Sequence, residues 1–386
     1  MENENLKSIL IIIDDIFPTR MSSFRNVEYD KYISQYQNIL IINISKIEIS
    51  PDITPKIVGK NIYYFQTNFD DNQVYEIKRI LTKYNNKIAT IDFLNNISAV
   101  EWKVLNFLEE NNIKFMLTLY PGGGFFFDET SKKKLLKVFS SKMFYKVIIT
   151  QKKILEYILE NQLCKEEQIK FIYGLPVSHN LLNIDLSKKR YYGIKGKINF
   201  NICFVAYKYS PQGKDKGYDV FIKIAKILRK KYNDIYFHVV GNFNENDIDV
   251  MELDERIAFY GVQKTEWFED FYKDKDLIIS PTKPNILNKG SFDGFPTGAT
   301  TEAMLNGVTA IVSDPLNMNF TYQNNKDIII IKNEQEILKT VEFLKSNPKK
   351  MVSISKKGYK KCNKIYCEKY QLEERLKILK EMESLK

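Results

Sequence analysis

Apolar runs of strand length alternate with longer amphipathic segments in the first half of the chain. The predicted helices include residues 71–84, 100–111 and 152–162. The predicted strands are Ile9–Ile13, Asn38–Ile44, Lys87–Asp92, Lys114–Tyr120, Lys146–Thr150 and Gln168–Tyr173. This alternation implies a mostly parallel sheet with helices on both faces.

The alternation lapses over a short charged stretch at residues 185–190 and then restarts. Ile198–Ala206 and Ile235–Val240 predict strands, and the apolar stripe of Gly217–Lys231 predicts the helix between them. The sequence therefore predicts two doubly wound α/β units. Their bounds are residues 1–190 and 191–365, and a C-terminal helix follows over residues 366–386.

The most informative stretch is residues 293–307. Its first half is broken by Gly294, Pro296 and Gly298, and its second half suits a helix. A loop that leads into a helix offers free backbone N–H groups and a positive dipole end, which favour a phosphate. The carboxylates of Asp293 and Glu302 can accept hydrogen bonds from hydroxyls. Phosphate plus hydroxyls suggests a nucleotide sugar. The alternative is a plain loop–helix–strand connection with two incidental acids.

Composition narrows the class of protein. The 386 residues are 44% hydrophobic and carry a net charge of +10. No apolar run approaches the roughly 20 residues that span a bilayer, and the first residues are acidic, so we expect a cytoplasmic protein. The charge reflects either lysine-rich composition or an anionic partner, such as a nucleotide diphosphate, a lipid phosphate or the inner membrane face. No nucleic-acid-binding signature stands out, so no nucleic acid partner is expected.

Histidine and cysteine are too sparse for several chemistries. The four cysteines have no metal-ligand spacing and are expected to be free thiols. The histidines are His179 and His238, and the second lies in a strand pattern typical of a core residue. A Ser-His-Asp hydrolase has little support here.

The second half resembles the donor domain of a retaining glycosyltransferase of the GT-B fold, in the glycosyltransferase family 4 group (glycosyl transferases group 1). The resemblance rests on six pieces that come in the family's order: Phe204–Ala206, Lys216-Gly217, His238–Gly241, Arg256–Gly261, Asp276–Pro281 and Asp293–Asp314. It implies two Rossmann-like domains that face a cleft, with the C-terminal helix packing back toward the N-terminal domain.

Three departures from the family pattern concern the site. Asp293 stands nine positions before Glu302, where the family has two glutamates one position closer together. Ala206-Tyr207-Lys208 replaces the usual Gly-Arg pair, so the arginine role passes to Lys208 or is absent. An insertion over residues 283–292 precedes the acidic motif.

The resemblance implies transfer of a sugar, with retention, from a nucleoside diphosphate sugar. Lys216, Asp293 and Glu302 are the expected catalytic residues, and no cofactor or metal ion is expected. The expected donor-binding residues are Lys208, Gly217, Gly241, Val262, Gly294, Phe295, Pro296, Thr297, Gly298, Ala299 and Thr300.

The acceptor is expected on the N-terminal half, where the family match is weak. A saccharide or a lipid-linked saccharide would fit polysaccharide or glycolipid assembly at a membrane face. Loops after predicted strands supply the expected acceptor-side residues, which are Asp14, Arg20, Arg25, Gly122, Gly123 and Gly124. Two alternatives stay open: a non-catalytic subunit that binds a sugar nucleotide or a partner enzyme, and a sugar-nucleotide epimerase.

Overall fold

The computed structural model describes residues 8–19, 22–46 and 60–385. By its contacts the chain forms two compact units. The first contains residues 1–178 and 368–386, and the second contains residues 179–367. Each unit is built on one parallel β-sheet, so the predicted doubly wound α/β class is confirmed.

Among the residues that the structure describes, the sheet of the first unit has seven strands. Numbered along the chain as given below, they lie in the order β3-β2-β1-β4-β5-β6-β7. The central strands are fully buried apolar runs, as expected for a parallel sheet covered on both faces. Its strands are Ser8–Asp14 (β1), Asn38–Asn43 (β2), Asn61–Gln66 (β3), Asn86–Asp92 (β4), Lys114–Leu119 (β5), Phe144–Ile149 (β6) and Ile169–Phe171 (β7). Its helices before residue 178 are Ser23–Gln35 (α1), Asp71–Leu81 (α2), Leu94–Ser98 (α3), Lys103–Glu110 (α4), Glu129–Phe139 (α5) and Lys152–Glu160 (α6).

The second unit has six strands in the order β10-β9-β8-β11-β12-β13. Its strands are Phe200–Val205 (β8), Ile235–Val240 (β9), Ile257–Phe259 (β10), Leu277–Ser280 (β11), Thr309–Ser313 (β12) and Ile329–Ile331 (β13). Its helices are His179–Leu182 (α7), Tyr218–Lys231 (α8), Trp267–Tyr272 (α9), Gly298–Leu305 (α10), Glu334–Ser346 (α11) and Pro348–Tyr366 (α12). The apolar stripe of α8 packs into the main core of this unit, against β8 and β9.

The contacts place the first boundary after residue 178, whereas the charge pattern predicts it after residue 190. The segment between these positions is bonded to the second unit. The N–H of Arg190 donates to the carbonyl of Lys273 at 3.1 Å, and the hydroxyl of Tyr359 donates to the carbonyl of Ile184 at 3.1 Å. The charged segment before residue 190 is therefore part of the second unit and not a linker, because its backbone groups are hydrogen-bonded to that unit.

The C-terminal helix predicted over residues 366–386 is shorter than expected. Helix α12 ends at Tyr366, and Cys367 has a non-helical backbone conformation. The chain then joins the first unit, where Glu374–Ser384 forms helix α13. Leu376, Leu379 and Met382 of α13 pack into the core formed by the first sheet and α1.

A buried ion pair attaches α13 to the first unit. Nε of Arg375 lies 3.3 Å from Oε1 of Glu28 on α1, and both side chains are fully buried. The hydroxyls of Tyr32 and Tyr120 each donate to the Glu28 carboxylate at 2.6 Å. Arg375 also donates to the carbonyl of Gln371 at 2.6 Å. Because the pair is hydrogen-bonded on both sides, losing either partner would leave an uncompensated buried charge.

His238 is partly buried in the second unit, so the strand pattern is right about its place but not about complete burial. It lies on β9, and its Nδ1 is 2.8 Å from the hydroxyl of Tyr260. Burial lowers the pKa of His238 to about 3, so the imidazole is neutral at physiological pH.

We expect Arg375→Met to lower the free energy of unfolding by about 3–5 kcal/mol, because Glu28 would keep its buried charge without a cation. Lys377→Met is the matched control, since Lys377 is exposed on the same helix, and we expect it to change stability by less than about 0.5 kcal/mol. Urea unfolding followed by circular dichroism measures both. An Arg375→Met protein as stable as the control would show that the pair does not hold α13.

Candidate nucleotide-sugar site

The loops after β8 and β11 flank the point where the strand order of the second sheet reverses. Ligands of open α/β sheets bind at the carboxyl ends of the strands beside such a point. The two loops are joined by two bonds. The N–H of Lys283 donates to the carbonyl of Asp215 at 3.0 Å, and Nζ of Lys216 lies 2.6 Å from Oδ1 of Asp293. One bond lies at the first residue of the insertion at residues 283–292 and the other at the residue that follows it. Both ends of the insertion are therefore attached to the loop after β8.

Lys216 is held by its surroundings. Besides Asp293, its ammonium lies 3.7 Å from Oδ2 of the buried Asp215 and 5.1 Å from the centre of the Tyr209 ring. Oδ1 of Asp215 in turn accepts hydrogen bonds from the N–H and the hydroxyl of Ser210. The lysine side chain is only 13% exposed, so it is a fixed cation and not a solvated surface lysine.

Two expected donor-binding glycines are required by close backbone packing. Gly217 has a φ of 73° just before α8, and a Cβ there would lie 2.1 Å from the carbonyl oxygen of Pro281. Gly241 follows β9 with a φ of 131°, and its Cβ would lie 1.7 Å from the carbonyl oxygen of Ala206. Both glycines bring neighbouring loops of the site together, so their first role is structural.

Lys208 is paired with an acid from a different loop. Its ammonium pairs with the carboxylate of Asp247 and lies 5.9 Å from the centre of the Phe243 ring. Its N–H donates to Oδ1 of Asn242 at 2.6 Å. Lys208 therefore contacts Asp247, whereas Lys216 contacts Asp293 of the acidic motif.

The segment Asp293–Thr297 leads into α10 as the sequence predicts. Thr297 is the N-cap, and its Oγ1 accepts from the N–H of Thr300 at 3.3 Å. The helix itself supplies no acceptor for the N–H groups of Gly298 and Ala299, which begin its first turn. These groups and the helix dipole make the start of α10 suitable for an anion. Gly294, Phe295 and Pro296 form the connection, in which Phe295 and Pro296 are buried.

Glu302 lies half-buried on α10, about one turn beyond the first helical residue. Asp293 is 27% exposed beside Lys216. The two acids thus stand on either side of the helix start. Val262 is 58% exposed in the loop after β10, and this loop meets the end of β9 through a 2.9 Å bond from the N–H of Gly241 to the carbonyl of Gly261.

The acceptor-side residues of the first unit are more buried than expected. Asp14 ends β1 with no exposed surface. Its Oδ1 accepts from the N–H groups of Ile16 and Phe17 at 2.7 Å each and from Arg25 at 2.8 Å. Burial raises the pKa of Asp14, while Arg25 opposes this. Arg25 also pairs with Asp15 at 2.6 Å. Its guanidinium is therefore already bound to two carboxylates of the same loop. Arg20 lies outside the described residues.

The three glycines after β5 differ from one another. A Cβ on Gly123 would lie 2.1 Å from the Phe93 ring, and one on Gly124 would lie 1.8 Å from Oδ1 of Asn95. These two glycines are needed for packing against the end of β4. A Cβ on Gly122 would meet nothing within 4 Å, so only Gly122 of the three has open space beside it.

Sequence reasoning missed the tyrosines beside the site and the support of Lys216 by Asp215. Tyr207 and Tyr209 flank Lys208 in the loop after β8. The alternation of aromatic and polar residues in this loop could have indicated them. Within the part of the chain that the structure describes, no group of three His, Cys, Asp or Glu side chains is placed to hold a metal ion, and no helix there is long and apolar enough to cross a bilayer.

Comparison with known proteins gives a family match for part of the chain and solved structures of similar fold. Residues 205–361 match the family described as "Glycosyl transferases group 1". The whole chain is similar in structure to a glycosyltransferase from Rickettsia africae ESF-5, with a TM-score of 0.68, 16% identity, and coverage of 99% of this chain and 100% of that one. It is also similar to Anabaena Alr3699/HepE, which was solved in complex with UDP-glucose, with a TM-score of 0.67, 14% identity, and coverage of 98% and 100%. The comparison with curated proteins gave no match.

The chain therefore has the GT-B fold of these structures. Residues 205–361 match the glycosyl transferases group 1 family, so the resemblance seen in the sequence is confirmed over that part of the chain.

We expect Gly217→Ala to destabilise the protein by roughly 2–4 kcal/mol, because a left-handed φ and an overlap with Pro281 add together. Gly261→Ala is the matched control. Its φ is 66°, but its Cβ would meet nothing within 4 Å, so only about 1–2 kcal/mol of backbone strain applies. Chemical denaturation measures both variants, and equal losses would contradict the importance of the contact with Pro281.

Proposed function

We propose that the protein transfers a sugar, with retention, from a nucleoside diphosphate sugar to a saccharide or lipid-linked acceptor in the assembly of a cell-surface polysaccharide or glycolipid. The observation that carries this proposal is the position of the Lys216–Asp293 ion pair, at the reversal of strand order in the second sheet. UDP-glucose is the first donor to test, since Anabaena Alr3699/HepE of the same fold was solved with it.

In this proposal the diphosphate binds between Lys216 and the start of α10. The ammonium and the N–H groups of Gly298 and Ala299 stabilise the negative charge that grows on the leaving group. Lys216 is already fixed by Asp293 and Asp215, so little side-chain freedom is lost when the diphosphate binds. These groups carry the charge without a resident metal ion.

The two acids bind hydroxyls. Asp293 beside Lys216 accepts hydrogen bonds from hydroxyls of the transferred sugar, and Glu302 on α10 accepts from the ribose. Val262, exposed in the loop after β10, contacts the base. Asp293 has a shorter side chain than the glutamate of the family motif, which places its carboxylate differently against the sugar.

The reaction breaks the bond between the anomeric carbon and the β-phosphate oxygen. A new bond from the acceptor hydroxyl oxygen to the same carbon forms on the same face of the ring. The acceptor proton passes to an oxygen of the departing diphosphate, which accounts for the step without a histidine base. On the first unit, the acceptor contact we favour is the carboxyl edge of the sheet near Gly122, where there is open space.

We expect one of UDP-, GDP-, ADP- or dTDP-glucose to raise the unfolding temperature. A ligand whose free concentration is 100 times its dissociation constant raises the free energy of unfolding by about 2.7 kcal/mol. Lys216→Met should weaken that binding by about ten- to one-hundred-fold, because a charge-assisted contact is worth about 1.5–3 kcal/mol. A thermal-shift titration measures both effects.

Lys214→Met is the control, since Lys214 is exposed in the same loop. It should bind the donor like the wild type. The proposal fails if none of the four nucleotide sugars stabilises the wild type, or if the Lys216 and Lys214 variants bind the donor equally well.

A further inference from the structure

Two tyrosine rings are exposed side by side in the loop after β8. Tyr207 is 48% and Tyr209 is 64% exposed, and their ring centres are 5.2 Å apart with 46° between the ring planes. Many other aromatic side chains of this unit, such as Phe204 and Tyr218, are buried in its core instead. Exposed apolar groups that lie together mark a ligand or partner site more often than single exposed residues do.

The loop that carries these rings is anchored on both sides of Tyr209. The N–H of Lys208 donates to Asn242 at 2.6 Å, and Asn242 donates back to the carbonyl of Lys208 at 3.2 Å. The N–H of Ser210 donates to the buried Asp215 at 3.1 Å. The rings are therefore presented by a fixed backbone, which reduces the entropy lost when a ligand covers them.

The Tyr209 ring lies beside two residues of the proposed donor site. Its ring centre is 5.1 Å from Nζ of Lys216, and the same ammonium contacts Asp293 at 2.6 Å. The charges of Lys216 and Asp293 both act on the Tyr209 hydroxyl. If Lys216 binds the diphosphate and Asp293 binds sugar hydroxyls, Tyr209 is therefore close to the groups that bind the sugar and its phosphates.

Aromatic faces stack on the C–H face of a pyranose ring, and the tyrosine hydroxyl can hydrogen-bond to the sugar hydroxyls at its edge. We propose that Tyr207 and Tyr209 form a stacking platform for a pyranose ring next to the Lys216–Asp293 pair. This inference rests on the proposed function and deepens it. The ring belongs either to the transferred sugar or to the saccharide acceptor, because both meet at the anomeric carbon.

The test uses the full chain with both tyrosines changed to alanine. Its first arm measures UDP and UDP-glucose binding by calorimetry. Its second arm measures saturation-transfer NMR signals of methyl glucoside, galactoside and mannoside on the UDP-saturated protein. If the platform holds the donor sugar, UDP-glucose affinity falls about ten-fold while UDP affinity is unchanged. If it holds the acceptor, the methyl glycoside signals of the wild type disappear.

Two controls separate stacking from general damage. Changing both tyrosines to phenylalanine should preserve most of the wild-type UDP-glucose affinity or methyl glycoside signal, since the rings remain. Tyr75→Ala removes an equally exposed tyrosine (67%) in the first unit and should change neither arm. Thermal unfolding checks that each variant is folded.

The platform is refuted if the double alanine variant matches the wild type in the first arm and no methyl glycoside signal depends on the tyrosines. It is also refuted if the affinity for UDP itself falls as much as that for UDP-glucose, because the rings would then contact the base. A wild type that binds neither UDP nor UDP-glucose would refute this donor instead, and the methyl glycosides alone would then decide the platform.

Discussion

The ion pair between Lys216 and Asp293 sets the arrangement of the candidate site. It links the loop after β8 to the loop after β11, and these strands lie on either side of the reversal in strand order. Gly217 allows the first loop to approach Pro281 closely enough for this contact. The same contact joins the ammonium to the segment that leads into α10, whose first backbone N–H groups and helix dipole favour an anion. Sheet topology, a glycine and one ion pair together produce the site.

Buried charges in the first unit serve a different purpose. Glu28 and Arg375 join α1 to α13, and Asp14 and Arg25 fix the turn after β1. Their carboxylates have several donors each, which is how a buried charge becomes tolerable. These groups stabilise the unit and attach the end of the chain to it, whereas Lys216 and Asp293 remain partly accessible.

The sequence predicted the second unit better than the first. Its motifs lie in consecutive strand–loop–helix segments, so local patterns suffice to place Lys216, Asp293, Thr297 and Glu302. Periodicity did not predict β3 and β13, and each of these strands lies at the edge of its sheet. The break at Cys367 lies next to the predicted start of the C-terminal helix, but only tertiary contacts show that the chain joins the first unit there.

Other features of the site depend on partners far away in the sequence. Lys208 looked available for phosphate, but it pairs with Asp247 from a different loop. Arg25 was expected to contact the acceptor, and it pairs with the buried Asp14. Gly123 and Gly124 were expected to leave space for a ligand, but the side chains of Phe93 and Asn95 fill the space beside them. In each case the sequence indicates what the residue can do, but not which distant residue packs against it in the folded protein.

A crystal structure of the protein grown with UDP is the most direct measurement, because it shows where the diphosphate binds. We expect phosphate oxygens within about 3 Å of Nζ of Lys216 and of the N–H groups of Gly298 or Ala299. UDP bound elsewhere on the chain, with the Lys216–Asp293 pair and the start of α10 untouched, would contradict the assignment of this site.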